Sequence, residues 1–251
     1  VAPPQTPPTP AEFAELARSA PRLWTTVRFT LVRRAGEPAP ADRSTIPEWS
    51  PDRATDGVRA RLRRPDALRV ETRDGSPLQV TFTPGNAERD DELMFQDYHW
   101  VAMLNPVEFA NGEHEDMGEG DPLQFDDLRA VQHHGRPAWQ ADVHPTGFYA
   151  PRCPCCPLLF SAESEDVDGD DSEWLLRNRY PELRYPEAHR VRLDVATGVC
   201  VSTEELGGSR PGRGHDVRIE AVDESMPDTL FTRTTRRRRG PWWRRRREGK
   251  A

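Results

Sequence analysis

Long apolar runs are missing from this sequence. No stretch approaches the roughly 18 consecutive apolar residues of a helical membrane span. The opening residues, VAPPQTPPTP, lack both the charged start and the apolar stretch of a secretory signal. On these residues the expected location is the cytoplasm. Cysteine is scarce, four in 251 residues, and three of the four are crowded together, which argues against a disulfide framework. Apolar content is low as well, at 35% with a mean hydropathy of −0.82. So thin a supply of core residues favours a single curved sheet with long loops over two thick packed layers. There is no G-x-S-x-G and no H-E-x-x-H string, and no repeat of fixed period. An enzyme is therefore not expected.

Proline is abundant, with 25 residues, many of them in connections. Charge is present in quantity and unevenly placed. The chain carries −7 overall, but residues 232–251 hold nine Arg and one Lys against one Glu. The tail is thus +9 and the remainder −16, an acidic body with a basic end.

Local patterns define the elements. Residues 1–10 form a Pro-rich leader. Thr9, Pro10 and Glu12 then spell a helix start, with a capping box and a proline in the first turn. Phe13, Leu16, Ala17 and Ala20 follow on one face, and Pro21 closes the helix. Beyond it, residues alternate apolar and polar in the manner of strands buried on one side. Val27, Phe29 and Leu31 do so first, then Val58–Leu62, Leu68–Glu71 and Leu78–Phe82, with a turn at Arg73–Ser76. Leu93–Leu104 is the most apolar stretch and is read as an aromatic strand ending at Asn105-Pro106. Residues 111–127 read as an acidic loop. A hairpin turning at His133–Pro137 comes next, and a short helix is expected near Trp174–Tyr180. The clearest alternation is Val191, Leu193 and Val195, resumed after the Ala196–Gly198 turn and again at Val217, Ile219 and Ala221. About eight to ten strands in sequence order, with one helix in front, predict a mainly β (α+β) fold. Its form would be a single curved antiparallel sheet making an unclosed barrel, with an N-terminal amphipathic helix and a few short ones.

Element order and turn strings together resemble a known family. The helix-to-strand start, the Asp74-Gly75 turn, the stretch Tyr98–Pro106, the string Gly135–Trp139, the turn Asp194-x-x-Thr197-Gly198 and the terminal Asp228-x-x-Phe231 occur in this order. The chain is similar to the LolA-like lipoprotein-carrier superfamily, to its actinobacterial members most of all, and more distantly to RseB and LppX-type lipoproteins. The resemblance covers residues 11–231 and implies an unclosed antiparallel barrel capped by helices. It also implies an apolar concave cavity that holds acyl chains in several members. A non-enzymatic acyl or apolar ligand is the first function expected. The alternative is a sensor or protein-interaction module of the same fold with no small ligand. The cavity would be lined by Phe29, Leu31, Val80, Phe82, Trp100, Met103, Leu193 and Val195, which are core residues on the plainer reading.

Other strings carry candidate chemistry. Cys153, Cys155 and Cys156 could hold zinc or exchange thiols, but the C-x-C-C spacing lacks the second, separated pair of a standard zinc site. Only Cys200, His144 and His189 could complete it, and no βαβ unit surrounds it. Beyond zinc at that cluster, no cofactor is expected. Asp166–Asp171 imitates a calcium loop, yet places Asp171 and Arg177 where the EF-hand needs Gly and Glu. The Gly-rich Gly207–Gly214 opens no helix and so cannot cradle phosphate. His133 and His134 sit in a turn and are expected to be solvated. In the tail, Arg236, Arg237, Arg238 and Arg239 precede Trp242 and Trp243, and Arg244, Arg245, Arg246 and Arg247 follow them. Such a string suits an anionic membrane surface, with Trp at the headgroup level. Nucleic acid is the less favoured polyanion. A solvated end is the plain alternative, and any protein partner is unspecified.

Overall fold

The structure is a computed structural model, and it describes residues 6–36, 57–84, 93–110, 120–154, 156–166 and 176–232. Helix α1 (Pro10–Ser19) begins as its sequence dictates: the Glu12 N–H donates to Thr9 Oγ1 at 3.2 Å, and the Thr9 N–H donates to the Glu12 carboxylate at 2.8 Å. Its inward face, Phe13, Ala17 and the adjoining Ala20, is fully buried.

Among the described residues nine strands follow: β1 (Thr26–Ala35), β2 (Val58–Arg63), β3 (Ala67–Thr72), β4 (Pro77–Phe82), β5 (Leu123–His133), β6 (Arg136–Pro145), β7 (Ala188–Asp194), β8 (Cys200–Leu206) and β9 (Arg213–Val222). They make one antiparallel sheet in the order β4-β3-β2-β1-β9-β8-β7-β6-β5. It is not closed into a barrel. The first and last strands meet at its centre, with Phe29 opposite Ile219 and Leu31 opposite Val217. The chain thus runs outward from β1 to one edge, crosses to the far edge, and returns inward to β9.

That crossing overturns one expectation. Residues Leu93–Leu104 are not a strand; Tyr98–Leu104 form helix α2, with Trp100, Val101, Ala102, Met103 and Leu104 all buried. Burial at five consecutive positions does not fit a strand with one solvated face, and short apolar runs do not declare helix or strand by periodicity. Topology decides it. With β4 and β5 at opposite edges, the link between them must span the concave face, and α2 is the part of the link that fills it.

Two smaller corrections concern the far edge. β5 starts at Leu123, inside the stretch read as an acidic loop. The charges at Asp126 and Asp127 sit at a register shift between Asp126 and Arg129 on this edge strand, where charges and bulges are well tolerated. At the other end of β5, His133 is 6% exposed rather than solvated. The β8–β9 ladder runs only from Ser202–Asp216 to Glu204–Gly214, and His133 Nε2 donates to the Val217 carbonyl just beyond it at 3.0 Å. Two further short helices among the described residues are α3 (Ala162–Asp166) and α4 (Leu176–Arg179).

The main core lies between the concave face, α1 and α2. A second, small cluster lies on the opposite face of β3 and β4: Ala67, Met226 and Phe231, with Val80, Phe82 and Leu230 packed on them. Here the Arg63 guanidinium lies over the rings of Phe82 and Phe231 and bonds to Asp66 and Asp228. The terminal Asp228-x-x-Phe231 string is the clasp that fastens the end of the described chain to the sheet.

Candidate functional site

The expected cavity residues separate into three groups. Phe29, Leu31, Trp100, Met103 and Leu193 are at most 2% exposed and belong to the main core. Phe29 and Trp100 rings pack 5.2 Å apart, and Phe95 meets the other side of Trp100 at 5.5 Å. Val80 and Phe82 lie on the opposite face, in the clasp. Alternation establishes that Leu78, Val80 and Phe82 share a side but not which side. At this edge the core-side register is held by Gln79 and Thr81, opposite Val70 and Leu68. Val195 is half-buried in the turn after β7, its N–H donating to the Pro137 carbonyl at 3.1 Å.

A cavity of about 10 Å³ opens among Leu62, Leu93, Val101 and Leu104. A second, of about 30 Å³, lies among Arg33, Arg34, His99, His189, Thr203 and Arg213. Pockets for small molecules typically measure ~300–1,000 Å³.

The second cavity is polar, and its parts come from five elements. Arg33 of β1 holds Asp97 through two bonds of 2.6 Å. Arg213 of β9 pairs with Glu205 of β8 at 2.7 Å. Arg34, which pairs with Gly214 and so projects from the other face of the sheet than Arg33, donates through Nη2 to the carbonyls of Thr203 (2.6 Å) and His215 (3.1 Å) and to Ser202 Oγ (3.4 Å). Its Nε–H is buried without an acceptor. His99, from the first turn of α2, reaches the Pro157 carbonyl with Nδ1 at 3.1 Å and His215 Nδ1 with Nε2 at 3.0 Å. His215 in turn donates from Nε2 to the Cys200 carbonyl at 2.8 Å, and its Nδ1 lies 3.0 Å from Thr203 Oγ1. Burial and then Arg33 push His99 down to about 3. Burial pushes His189 down to about 3, and it also lowers His215, with His99 adding to the effect.

A buried carboxyl lies nearby. Glu108 accepts from the Tyr149 hydroxyl at 2.5 Å and from the backbone N–H groups of Arg152 and Leu158, each at 3.3 Å. Desolvation raises its pKa. Its bonds tie the loop of residues 149–158, which carries Cys153 and Cys156, to the turn after α2.

Cys156 is buried, Cys153 half-buried, and Cys155 lies outside the described residues. Cys200 is fully buried in β8, which raises its pKa and makes it a poor nucleophile. His144 is held by the Glu187 carbonyl and Asp126, and His189 by the Phe160 carbonyl. Among the described residues one group of three could hold a metal ion, His133, His134 and Asp216, with ligand atoms within 4.8 Å. Both His133 nitrogens are already occupied, Nε2 by the Val217 carbonyl and Nδ1 by Arg192 at 3.4 Å. It reads as a cap on the sheet seam. The calcium-like run beyond Asp166 and the tail residues Arg236–Arg239 and Trp242–Arg247 lie outside the described residues.

The sequence reading missed Arg34, His99, His215, Glu108 and Tyr149. Each faces partners from distant parts of the chain, as with His99 and His215, 116 residues apart, so no local spacing marks them.

No protein-family model matches the chain, and no curated protein matches it in sequence. Solved structures of MucB are similar to it. MucB in complex with MucA(peri) has 12% identity and a TM-score of 0.39, over 89% of this chain and 59% of that one. MucB alone has 13% identity and a TM-score of 0.35, over 88% and 62%. The Pseudomonas aeruginosa MucA/MucB complex has 12% identity and a TM-score of 0.38, over 89% and 60%. The chain spans about three-fifths of the length of the chains it matches.

Proposed function

We propose that this chain is a non-enzymatic interaction module built on a half-barrel filled by its own crossover, and that it holds a protein partner rather than an acyl chain. The observation that carries this reading is the occupation of the concave face. Trp100, Val101, Met103 and Leu104 stand where an apolar ligand would lie, and two cavities beside them among the described residues measure about 10 and 30 Å³. An acyl chain would have to displace α2 and expose its five buried residues to water. The sheet keeps a surface suited to a peptide instead. β5 is eleven residues long and, among the described residues, pairs only with β6. Such an edge accepts an added strand through backbone hydrogen bonds.

Native mass spectrometry of the purified full chain separates the readings. The expected spectrum is that of the bare chain. One co-purifying lipid per chain would overturn the proposal and restore the acyl-binding function. A stoichiometric zinc adduct that disappears in Cys155→Ser would move the function to the cysteine cluster.

A further inference from the structure

We propose that the outer face of the sheet carries a phosphate-binding clamp made by Arg59, Thr30 and Arg218, with a phosphate monoester as its ligand. The site lies on β2, β1 and β9, on the opposite side of the sheet from α2 and well inside the β5 edge. It therefore goes beyond the interaction role and does not depend on it.

Strand register places the three residues together. β1 runs between β2 and β9, and Thr30 is opposite Arg59 on one side and Arg218 on the other. Phe29 and Leu31, the neighbours of Thr30, are buried in the core, so alternation turns Thr30 and both arginines outward. Two strand spacings put the arginine backbones about 10 Å apart, with the threonine hydroxyl between them. Thr30 and Arg59 are half-buried, and Arg218 is exposed.

Charge accounting leaves these two arginines over. Glu71, opposite Arg59 in register, is held instead by Arg61 at 2.7 Å and Arg69 at 2.6 Å. Glu220 and Glu224 hold Arg28 at 2.9 and 2.8 Å. Asp216, the acid before Arg218 on the same side of β9, lies 2.6 Å from His134. Among the described residues Arg59 and Arg218 make no ion pair, and the Arg59 Nε–H is buried with no acceptor. An unmet guanidinium N–H is costly until an acceptor arrives. The adjoining row adds to the positive field, since Arg61 stands opposite Arg28 on one side and Arg69 on the other.

The shape of the clamp selects the anion. A carboxylate presents one planar edge of two oxygens, which a single guanidinium fork satisfies. Two forks approaching from opposite sides, with a hydroxyl donor between them, fit a tetrahedral group with oxygens on several sides. A phosphate monoester is such a group, and its charge of about −1.5 to −2 at neutral pH matches the two arginines.

The test follows the guanidinium Nε–H signals of Arg59 and Arg218 and the amide of Thr30 by NMR in the nitrogen-labelled full chain. Phenyl phosphate is added at neutral pH and fixed ionic strength. All three signals should shift along one saturable curve with a common midpoint. Arg59→Gln and Arg218→Gln should each weaken binding roughly ten- to a hundredfold, the size of one charge-assisted hydrogen bond. The dispersion of the spectra reports whether each variant is folded, and the exposed Arg218 supplies the variant to rely on should Arg59→Gln unfold. Sodium acetate should give no saturation over the same range. Glycerol phosphate and a short-chain phosphatidic acid below its micellar concentration then distinguish a free ester from a lipid headgroup, the tighter of the two naming the source. A binding curve unchanged in the folded variants, or shifts confined to residues 232–251, would overturn the clamp. Acetate binding as tight as that of phenyl phosphate would overturn the choice of anion.

Discussion

Asp194 is 2% exposed and would be an expensive charge to bury alone. It is met instead by the Arg136 guanidinium at 2.7 and 3.0 Å and by the N–H and hydroxyl of Thr197. The next residue, Gly198, has φ +68°, and a Cβ there would stand 2.7 Å from the Leu16 carbonyl of α1. The Asp-x-x-Thr-Gly string therefore turns the chain and seats the first helix in one step. The turn itself was legible in advance because Asp194 meets Thr197 only three positions away; the Thr9–Glu12 cap is another local pair, whereas Arg136 comes from 58 residues away. The buried histidines were not legible, and they carry a pH signature. His189, fully enclosed and bonded to Phe160 through Nε2, is held neutral at about 3, whereas the unfolded chain protonates it near 6.5. Between those values the unfolded state binds more protons, so stability is intact above pH 6.5 and falls as the pH drops toward 3. Its share of the slope is about 1.4 kcal/mol per pH unit. In His189→Gln, urea unfolding measured from pH 7 to pH 4 should show that share of the acid slope removed, with a lower starting stability.

At the scale of elements, strands were readable and the crossover was not. A half-buried strand displays its register through period-two alternation, and β2, β3 and β7 lie within a residue or two of where that pattern puts them. Over Trp100–Leu104 α2 has no polar stripe, because all five residues are buried, while its first turn is tied to the Pro157 carbonyl through His99. A helix buried all round loses its amphipathic signature, and seven residues are too few to separate helix from strand by length. The same enclosure makes α2 the wedge of the fold. Trp100 is 0% exposed and touches both Phe29 and Phe95. Trp100→Ala should destabilise the protein by about 3–5 kcal/mol, as large-to-small core changes do. Chemical denaturation measures the loss. The space created should also admit an apolar fluorophore such as 1-anilinonaphthalene-8-sulfonate under native conditions, where the unsubstituted chain gives no signal. Destabilisation of less than 1 kcal/mol would show that α2 rests on the sheet without filling it.

For the whole molecule, the pairing of β1 with β9 brings the two ends of residues 26–222 together at the sheet centre, and the Phe231 clasp fastens the next few residues to the outer face. The clasp thus fixes the position of the chain directly ahead of the basic segment 232–251. The remainder of the chain carries −16 against +9 in residues 232–251, so two attractions compete for that segment. Folding back on the acidic body is one. Contact with an anionic membrane is the other we propose; each Arg near such a surface would contribute about 1 kcal/mol, and Trp242 and Trp243 would favour the headgroup level. Both weaken with salt, since the Debye length is about 8 Å at 0.15 M, but only the second requires lipid. Flotation with vesicles containing phosphatidylserine should carry the full chain upward at 0.05–0.15 M salt (roughly the range in which the Debye length exceeds the spacing of neighbouring Arg residues). A chain ending at Phe231 should stay with the soluble fraction, and vesicles of phosphatidylcholine alone should float neither. If both chains float equally well on the anionic vesicles, the contact belongs to the sheet and not to the arginines, and the membrane role of the tail is wrong.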